Sequence, residues 1–309
     1  MKKFRLIVLL IFHYSAIFGQ FLPEPQYNFQ LPFIQNPAFS GFYKKSQMTI
    51  SVRKQWLGIE NSPSEQVFHI NQRYEKSNFG ILLMNKTHGA LIRQNAGISF
   101  SHGLKIKKKS LQHVSFGLFL GVERIKIQSS KLDPLQENDP LLSGAFNSIF
   151  VPAANVGIIY RIKSLYTGIA VNNLLNFDYT ALGSLSYSKQ DNRAYCFTAG
   201  KKIKLGKTNR MKFRISAMEK SSNWYLSNYL VFEFQNKFQS GFALNFIRGS
   251  GFRSADLSLG IPLSAKLYLS YIVAFPFSEI GHLSNGSHLL SLSFDFRSIK
   301  KIEECDAYN

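Results

Sequence analysis

Seven histidines, two cysteines and one acidic cluster are the residues of this sequence that could do chemistry, and their spacing supports none. His13, His69, His88, His102, His113, His282 and His288 form no HxH or HxxxH pair, so no two imidazoles are set at metal-ligand spacing. Serines are frequent, but none sits in the GxSxG turn that presents a nucleophile. Asp133, Glu137 and Asp139 lie beside Pro134 and Pro140. They lack the ligand density and central glycine of a calcium loop and read as an acidic, turn-rich connection. Cys196 and Cys305 could pair or stand as two free thiols, and both readings stay open. Catalysis needs a nucleophile, a base and an orienting group that converge. No such set is visible, so the expectation is a non-enzyme with no metal and no cofactor.

Charge suggests a partner class and then argues against it. The 309 residues hold 37 Lys+Arg against 18 Asp+Glu, a net +19, with a pI near 9.9. The basic residues are scattered, and the densest cluster, Lys105, Lys107, Lys108 and Lys109, falls in an expected turn. No zinc spacing, phosphate loop or aromatic RNA-binding stretch accompanies it, so nucleic acid is not an expected partner.

The elements that must position these residues are strands. From about Ser46 to Arg297 the sequence repeats a unit of alternating apolar and small or polar side chains followed by a polar turn. Successive strand residues point to opposite faces, so this alternation suits a wall with lipid outside and water or packed side chains inside. Val114, Phe116, Leu118, Leu120 and Val122 share one face, while Ser115, Gly117, Gly121 and Glu123 share the other, with Phe119 as the exception. Met211, Phe213, Ile215 and Ala217 likewise oppose Lys212, Arg214 and Ser216. A soluble sandwich also alternates, but these segments have the length of about 9–11 residues that a tilted strand needs to cross hydrocarbon. The 28 Phe and 14 Tyr fit lipid-facing and interfacial positions.

The expected organisation is a signal peptide over 1–19, an irregular proline-rich segment over 20–45, a transmembrane antiparallel β-barrel over 46–297 and a polar periplasmic tail over 298–309. Lys2, Lys3 and Arg5 open the leader and Leu6 to Phe12 form its apolar stretch; removing those three cations from +19 leaves +16. Pro23, Pro25, Pro32 and Pro37 place the second segment at the periplasmic mouth or inside the lumen. Fifteen segments qualify as strands, and 183–189 is the weakest. Single-chain bacterial barrels have even strand counts, short periplasmic turns and longer external loops. Dropping 183–189 leaves fourteen strands. External connections then fall at 56–64, 86–93, 125–152, 172–192, 219–224, 248–252 and 277–286, and periplasmic turns at 74–77, 103–111, 163, 204–208, 236 and 262–265. An all-β outer-membrane barrel of about fourteen strands is the fold expected.

Four turn patterns punctuate the strands. Asn36-Pro37-Ala38-Phe39-Ser40-Gly41 precedes the first strand, and Gln55-Trp56-Leu57-Gly58, followed by Pro63, tops it. Asn172 to Asn176, which includes Asn173, ends another strand with asparagines able to bond their own backbone, and Gly286-Ser287-His288 opens the last strand. By themselves they read as capped turns that fix register.

In this order and at these separations the four patterns resemble the PorP/SprF family of outer-membrane proteins, from the type IX secretion and gliding machinery of Bacteroidota. The resemblance spans about 22–297 and includes the Asp133-Pro134 and Asp139-Pro140 loop; it departs at Leu289, where the family commonly carries an acid. It implies a non-enzymatic outer-membrane component that works with the periplasmic ring and scaffold. Such a component supports secretion and surface anchoring of particular cargo, such as large adhesins with a C-terminal sorting domain. The expected surroundings are outer-membrane lipid, with Lys105, Lys107, Lys108 and Lys109 facing the periplasmic machinery. The alternative is a passive or substrate-specific channel; a third class, a soluble secreted sandwich, would extract without detergent.

Overall fold

The computed structural model describes residues 31–42, 46–107, 111–128, 131, 148–175, 193–235, 237–249 and 251–297. The leader expected over 1–19, the segment 183–189, the Asp133–Asp139 cluster, Lys108, Lys109, Cys305 and residues 298–309 lie outside the described residues.

Fourteen antiparallel strands form one closed barrel: β1 Ser46–Lys54, β2 Ser64–Tyr74, β3 Ser77–His88, β4 Leu91–Lys107, β5 Gln112–Ile127, β6 Ser148–Ile162, β7 Leu165–Asn172, β8 Ala194–Leu205, β9 Asn209–Lys220, β10 Asn223–Phe234, β11 Phe238–Ile247, β12 Gly251–Pro262, β13 Leu267–Pro276 and β14 Ser287–Arg297. Each strand pairs with its sequence neighbours, and β1 closes on β14 from Ser46↔Arg297 to Lys54↔His288. Closure leaves no unpaired sheet edge, as a strand structure in hydrocarbon requires. No helix of the described residues is long and apolar enough to cross a membrane.

The burial pattern is inverted relative to a soluble sandwich. Ser51, His69, Asn71, Asn78, Ser101 and Asp256 are buried inside, whereas Ile50, Leu83, Ile98, Leu257 and Leu259 stand exposed on the outer surface. Water could not be the solvent for that outer face. The β5 pattern follows the expected alternation, and Phe119, inward by that alternation, lays its ring over Gly97, where an added Cβ would lie 2.4 Å from the ring.

Several boundaries differ from expectation. The connection expected over 86–93 contracts to the turn at Gly89 and Ala90, because β3 runs to His88 and β4 starts at Leu91. Every turn at one end of the barrel, such as Glu75–Lys76 or Lys163–Ser164, is short, while at the other end the connections after β5 and β7 are long. β4 continues to Lys107, so Lys105 and Lys107 belong to its end, opposite His113 and Gln112, and not to a turn. Pattern reading ends strands where polar residues begin, but a barrel strand extends as long as its neighbour offers backbone partners.

Candidate functional site: the filled lumen

A barrel of eight strands is filled by its own inward side chains, while one of sixteen to eighteen leaves a channel. At fourteen strands this barrel needs further material to be filled, and the proline-rich segment supplies it. Pro32–Ile34 and Pro37–Phe42 form two short 3-10 turns; their Phe33, Ala38 and Phe39, with Leu31 just before them, join one buried cluster with Val67, Leu82, Phe119, Ile159, Tyr166 and Leu289 of the wall. Of the segment expected over 20–45, the described residues 31–42 lie in the lumen. Proline favours the turns by fixing φ and giving up an amide that needs no partner there.

Polar contacts set the depth and angle of the plug. The Asn36 side-chain amide donates to the carbonyls of Ile169 at 3.1 Å and Ile158 at 3.4 Å, and its Oδ1 accepts the Ala38 N–H at 2.9 Å. The Ser115 hydroxyl donates to the Ala38 carbonyl at 2.9 Å. Gln35 is held twice, its carbonyl by Asn172 Nδ2 at 3.0 Å and its side-chain oxygen by Ser216 at 2.7 Å. The Phe33 ring stacks on His69 at 3.5 Å, and Phe39 meets the Tyr166 edge at 5.7 Å beneath the Arg214 guanidinium.

Glycines make the room. Gly117 and Gly157 are register partners, and Gly168 lies on the next strand. A Cβ on Gly117 would come within 2.1 Å of the Ala38 nitrogen, and one on Gly157 within 2.1 Å of Asn36 Oδ1. The wall is bare where the Asn36-Pro37-Ala38 backbone lies. Gly117 is visible in the sequence as an inward position, but nothing there tells a water-facing glycine from one under a plug.

The second and fourth patterns meet each other. The Leu57 N–H donates to the Gly286 carbonyl at 2.8 Å, and Asn285 N–H returns to the Leu57 carbonyl at 2.8 Å. The Trp56 N–H reaches Ser287 Oγ at 3.2 Å, and Gln55 N–H reaches the Pro63 carbonyl at 2.9 Å. Gly58 and Gly286 take φ of +99° and +82°, where side chains are disfavoured. Together they form a clasp at the outer end of the seam that joins first strand to last. Below it, Ser51 and Ser291 hydroxyls lie 2.7 Å apart and Thr49 and Ser293 3.0 Å apart. His288 points outward and bonds the Tyr271 hydroxyl and the Asn285 carbonyl.

The third pattern differs from expectation. Asn172 bonds the plug, not its own backbone, and the Asn173 N–H, at φ +55°, goes to Asn155 Oδ1 at 2.9 Å. Gly41 lies at the end of the second 3-10 turn. Cys196 is a free, buried thiol within 3.5 Å of Asn172 Nδ2. No group of three or more metal-binding side chains occurs among the described residues.

Charged side chains line both ends. Outward of the plug, Glu65 pairs with Arg53 at 3.7 Å and Lys86 at 3.4 Å, and Arg93 pairs with Glu123 at 3.2 Å. Near the short-turn end, Glu233 takes Arg210 at 3.3 Å and Lys212 at 3.1 Å.

Closed walls, an apolar exterior and a polar interior define an outer-membrane β-barrel. Solved barrels share the architecture: the toluene transporter TbuX of Ralstonia pickettii at TM-score 0.52 and 6% identity, covering 86% of this chain and 93% of that one; the toluene transporter TodX of P. putida at 0.51 and 9%, covering 85% and 93%; and the CymD monoaromatic hydrocarbon channel at 0.50 and 11%, covering 91% and 95%. At these identities they speak for the fold alone. The model of the type IX secretion system membrane protein PorP/SprF family matches residues 20–294, and the chain belongs to that family. No curated protein matches it. Membership places its partners within the type IX system.

Proposed function

We propose that this protein is a plugged, non-enzymatic barrel that anchors type IX components at the outer membrane, and that it supports secretion and surface attachment of particular adhesin-type cargo. The observation that carries this reading is the lumen: Asn36 and its neighbours occupy it on a glycine floor, with five side-chain or backbone hydrogen bonds from Asn36, Asn172, Ser115 and Ser216 holding them. A filled lumen suits an anchor whose outer loops meet cargo and whose periplasmic end meets the machinery. Lys105, exposed at the end of β4, lies on the short-turn end, which in outer-membrane barrels is periplasmic.

Purified protein in planar bilayers is expected to give no stable large conductance; a porin-like conductance would favour the channel reading. Deleting the gene and profiling surface proteins tests the cargo half, with loss of one or a few surface proteins expected. Charge reversal of Lys105, Lys107, Lys108 and Lys109 is expected to weaken co-purification with periplasmic components, and unchanged co-purification would remove that contact from the proposal.

A further inference from the structure

The outward face of β1–β5 turns polar near the end that carries the long connections. Gln66, Asn85, Gln94 and Arg124 are successive register partners on β2, β3, β4 and β5. Strand alternation points all four away from the lumen, since Glu65, Leu82, Ser99 and Phe119 are buried inside. The next row outward holds Lys54, Ser64, Thr87 and Lys126, with Ile92 between the last two. Ser64 and Thr87 hydroxyls lie 2.6 Å apart and Asn85 Nδ2 donates to Gln66 Oε1 at 2.6 Å, so the rows are held in place. Directly beneath, Phe68, Leu83, Ala96 and Val122 return the face to hydrocarbon. The far side of the barrel differs: β8–β12 there turn Tyr195, Trp224, Phe246 and Phe252 outward, with Glu219 among them. An aromatic belt is the ordinary filling of a bilayer interface, and charge on a lipid-facing strand is tolerated only near headgroup depth. One sector of this wall is therefore built for a different neighbour.

We propose that this sector binds a phosphate-bearing glycolipid of the outer leaflet. No carboxylate lies on the outward face of β1–β6. Among the described residues Lys54, Arg124 and Lys126 form no ion pair; Arg124 lies over the Phe150 ring at 5.8 Å, and Lys54 gives one bond to the Ser62 carbonyl at 2.7 Å. Arg124 and Lys126 stand two residues apart on one strand, about 6.6–6.8 Å, close enough for both to meet one phosphate group. Lys54 lies four strand spacings away, about 19 Å, where it would meet a second anionic group of the same headgroup. The exposed amides of Gln66 and Gln94 between them offer donors and acceptors to sugar hydroxyls, which a plain phospholipid lacks. Acyl chains would then lie on the apolar rows beneath. The inference needs the long connections to face outward, and it does not rest on the anchor reading.

The test uses full-length protein in detergent and fluorescent diphosphoryl lipid A, compared with dephosphorylated lipid A and with phosphatidylglycerol. The phosphorylated glycolipid is expected to bind about tenfold or more tighter than either, and R124Q/K126Q to lose about tenfold or more of that affinity. K163Q/K201Q removes the same charge from the short-turn end and is expected to bind as the parent does. Heat-modifiable gel migration reports that each variant is folded, and the comparison of lipids on the unmodified protein stands without them. Equal binding of the two forms of lipid A, or unchanged binding by folded R124Q/K126Q, overturns the proposal. An equal loss in K163Q/K201Q overturns it by showing attraction to the net charge alone. Equally tight phosphatidylglycerol, or displacement of lipid A by excess inorganic phosphate, overturns it by assigning the sector to any anionic lipid or to a free ion. The assay contains no secretion component, so its failure leaves the anchor reading standing.

Discussion

The side-chain amide of Asn36 donates to the carbonyl of Ile169, 133 residues away, at 3.1 Å. The same nitrogen reaches Ile158, and Oδ1 turns back to the Ala38 amide. One side chain thus satisfies groups on two wall strands and in the plug. In a lumen shielded from bulk water, the Asn36 amide would otherwise be left without a partner.

Replacing Asn36 tests this bond set directly. Asn36→Ala removes every one of its side-chain bonds and is expected to destabilise the barrel by about 1–3 kcal/mol. Asn36→Asp is expected to cost more, because an acceptor would then face two carbonyls. The measurement is the temperature at which the folded band is lost on a gel; equal midpoints for both variants and the parent would remove Asn36 from the account.

Gly157→Ala is expected to displace the plug, because the new methyl would sit 2.1 Å from Asn36 Oδ1. Overpacking of this kind costs about 1–3 kcal/mol. Gly103→Ala is the control, since its methyl would find only the Lys76 carbonyl at 3.6 Å. Conductance events in bilayers are expected for the first and not the second. Matching traces from the two variants would mean that the glycine floor does not hold the plug.

The clasp at the seam predicts a graded response to substitution. Gly286→Ala meets both a φ of +82° and the Ala274 carbonyl at 2.7 Å, whereas Gly89→Ala meets a φ of +58° and open space. Limited proteolysis is expected to cut the first variant faster near residues 55–63 and 277–286. A larger effect from Gly89→Ala would contradict the clasp.

The two ion pairs of the outer mouth separate burial from charge. Arg53 and Glu65 are each 1% exposed, so Glu65→Gln leaves a buried guanidinium beside Lys86, at a cost of about 3–5 kcal/mol. Arg93 and Glu123 are 25% and 21% exposed, and Glu123→Gln is expected to cost about 1 kcal/mol or less. Thermal melts of the two variants decide it; similar losses would mean that water reaches Glu65 as freely as Glu123.

Much of the architecture was legible in the residues themselves. The alternation in 112–124 and 209–218 marks faces because a strand's side chains can point only two ways, and the even-count rule reduced fifteen candidate segments to fourteen strands. The four turn patterns carried the family, since their order along the chain is a one-dimensional fact. Their roles were not legible, because those depend on which turns meet. Nothing local to Asn172 says that its amide will hold Gln35, and nothing local to Leu57 says that it will bond Gly286. Closure of β1 on β14 brings residues 55–58 beside 285–287, and the barrel's radius decides that twelve residues before the first strand must fill the centre. Short-range alternation fixes a strand's two faces, but only the closed wall, by setting the size of the space inside, decides what occupies it.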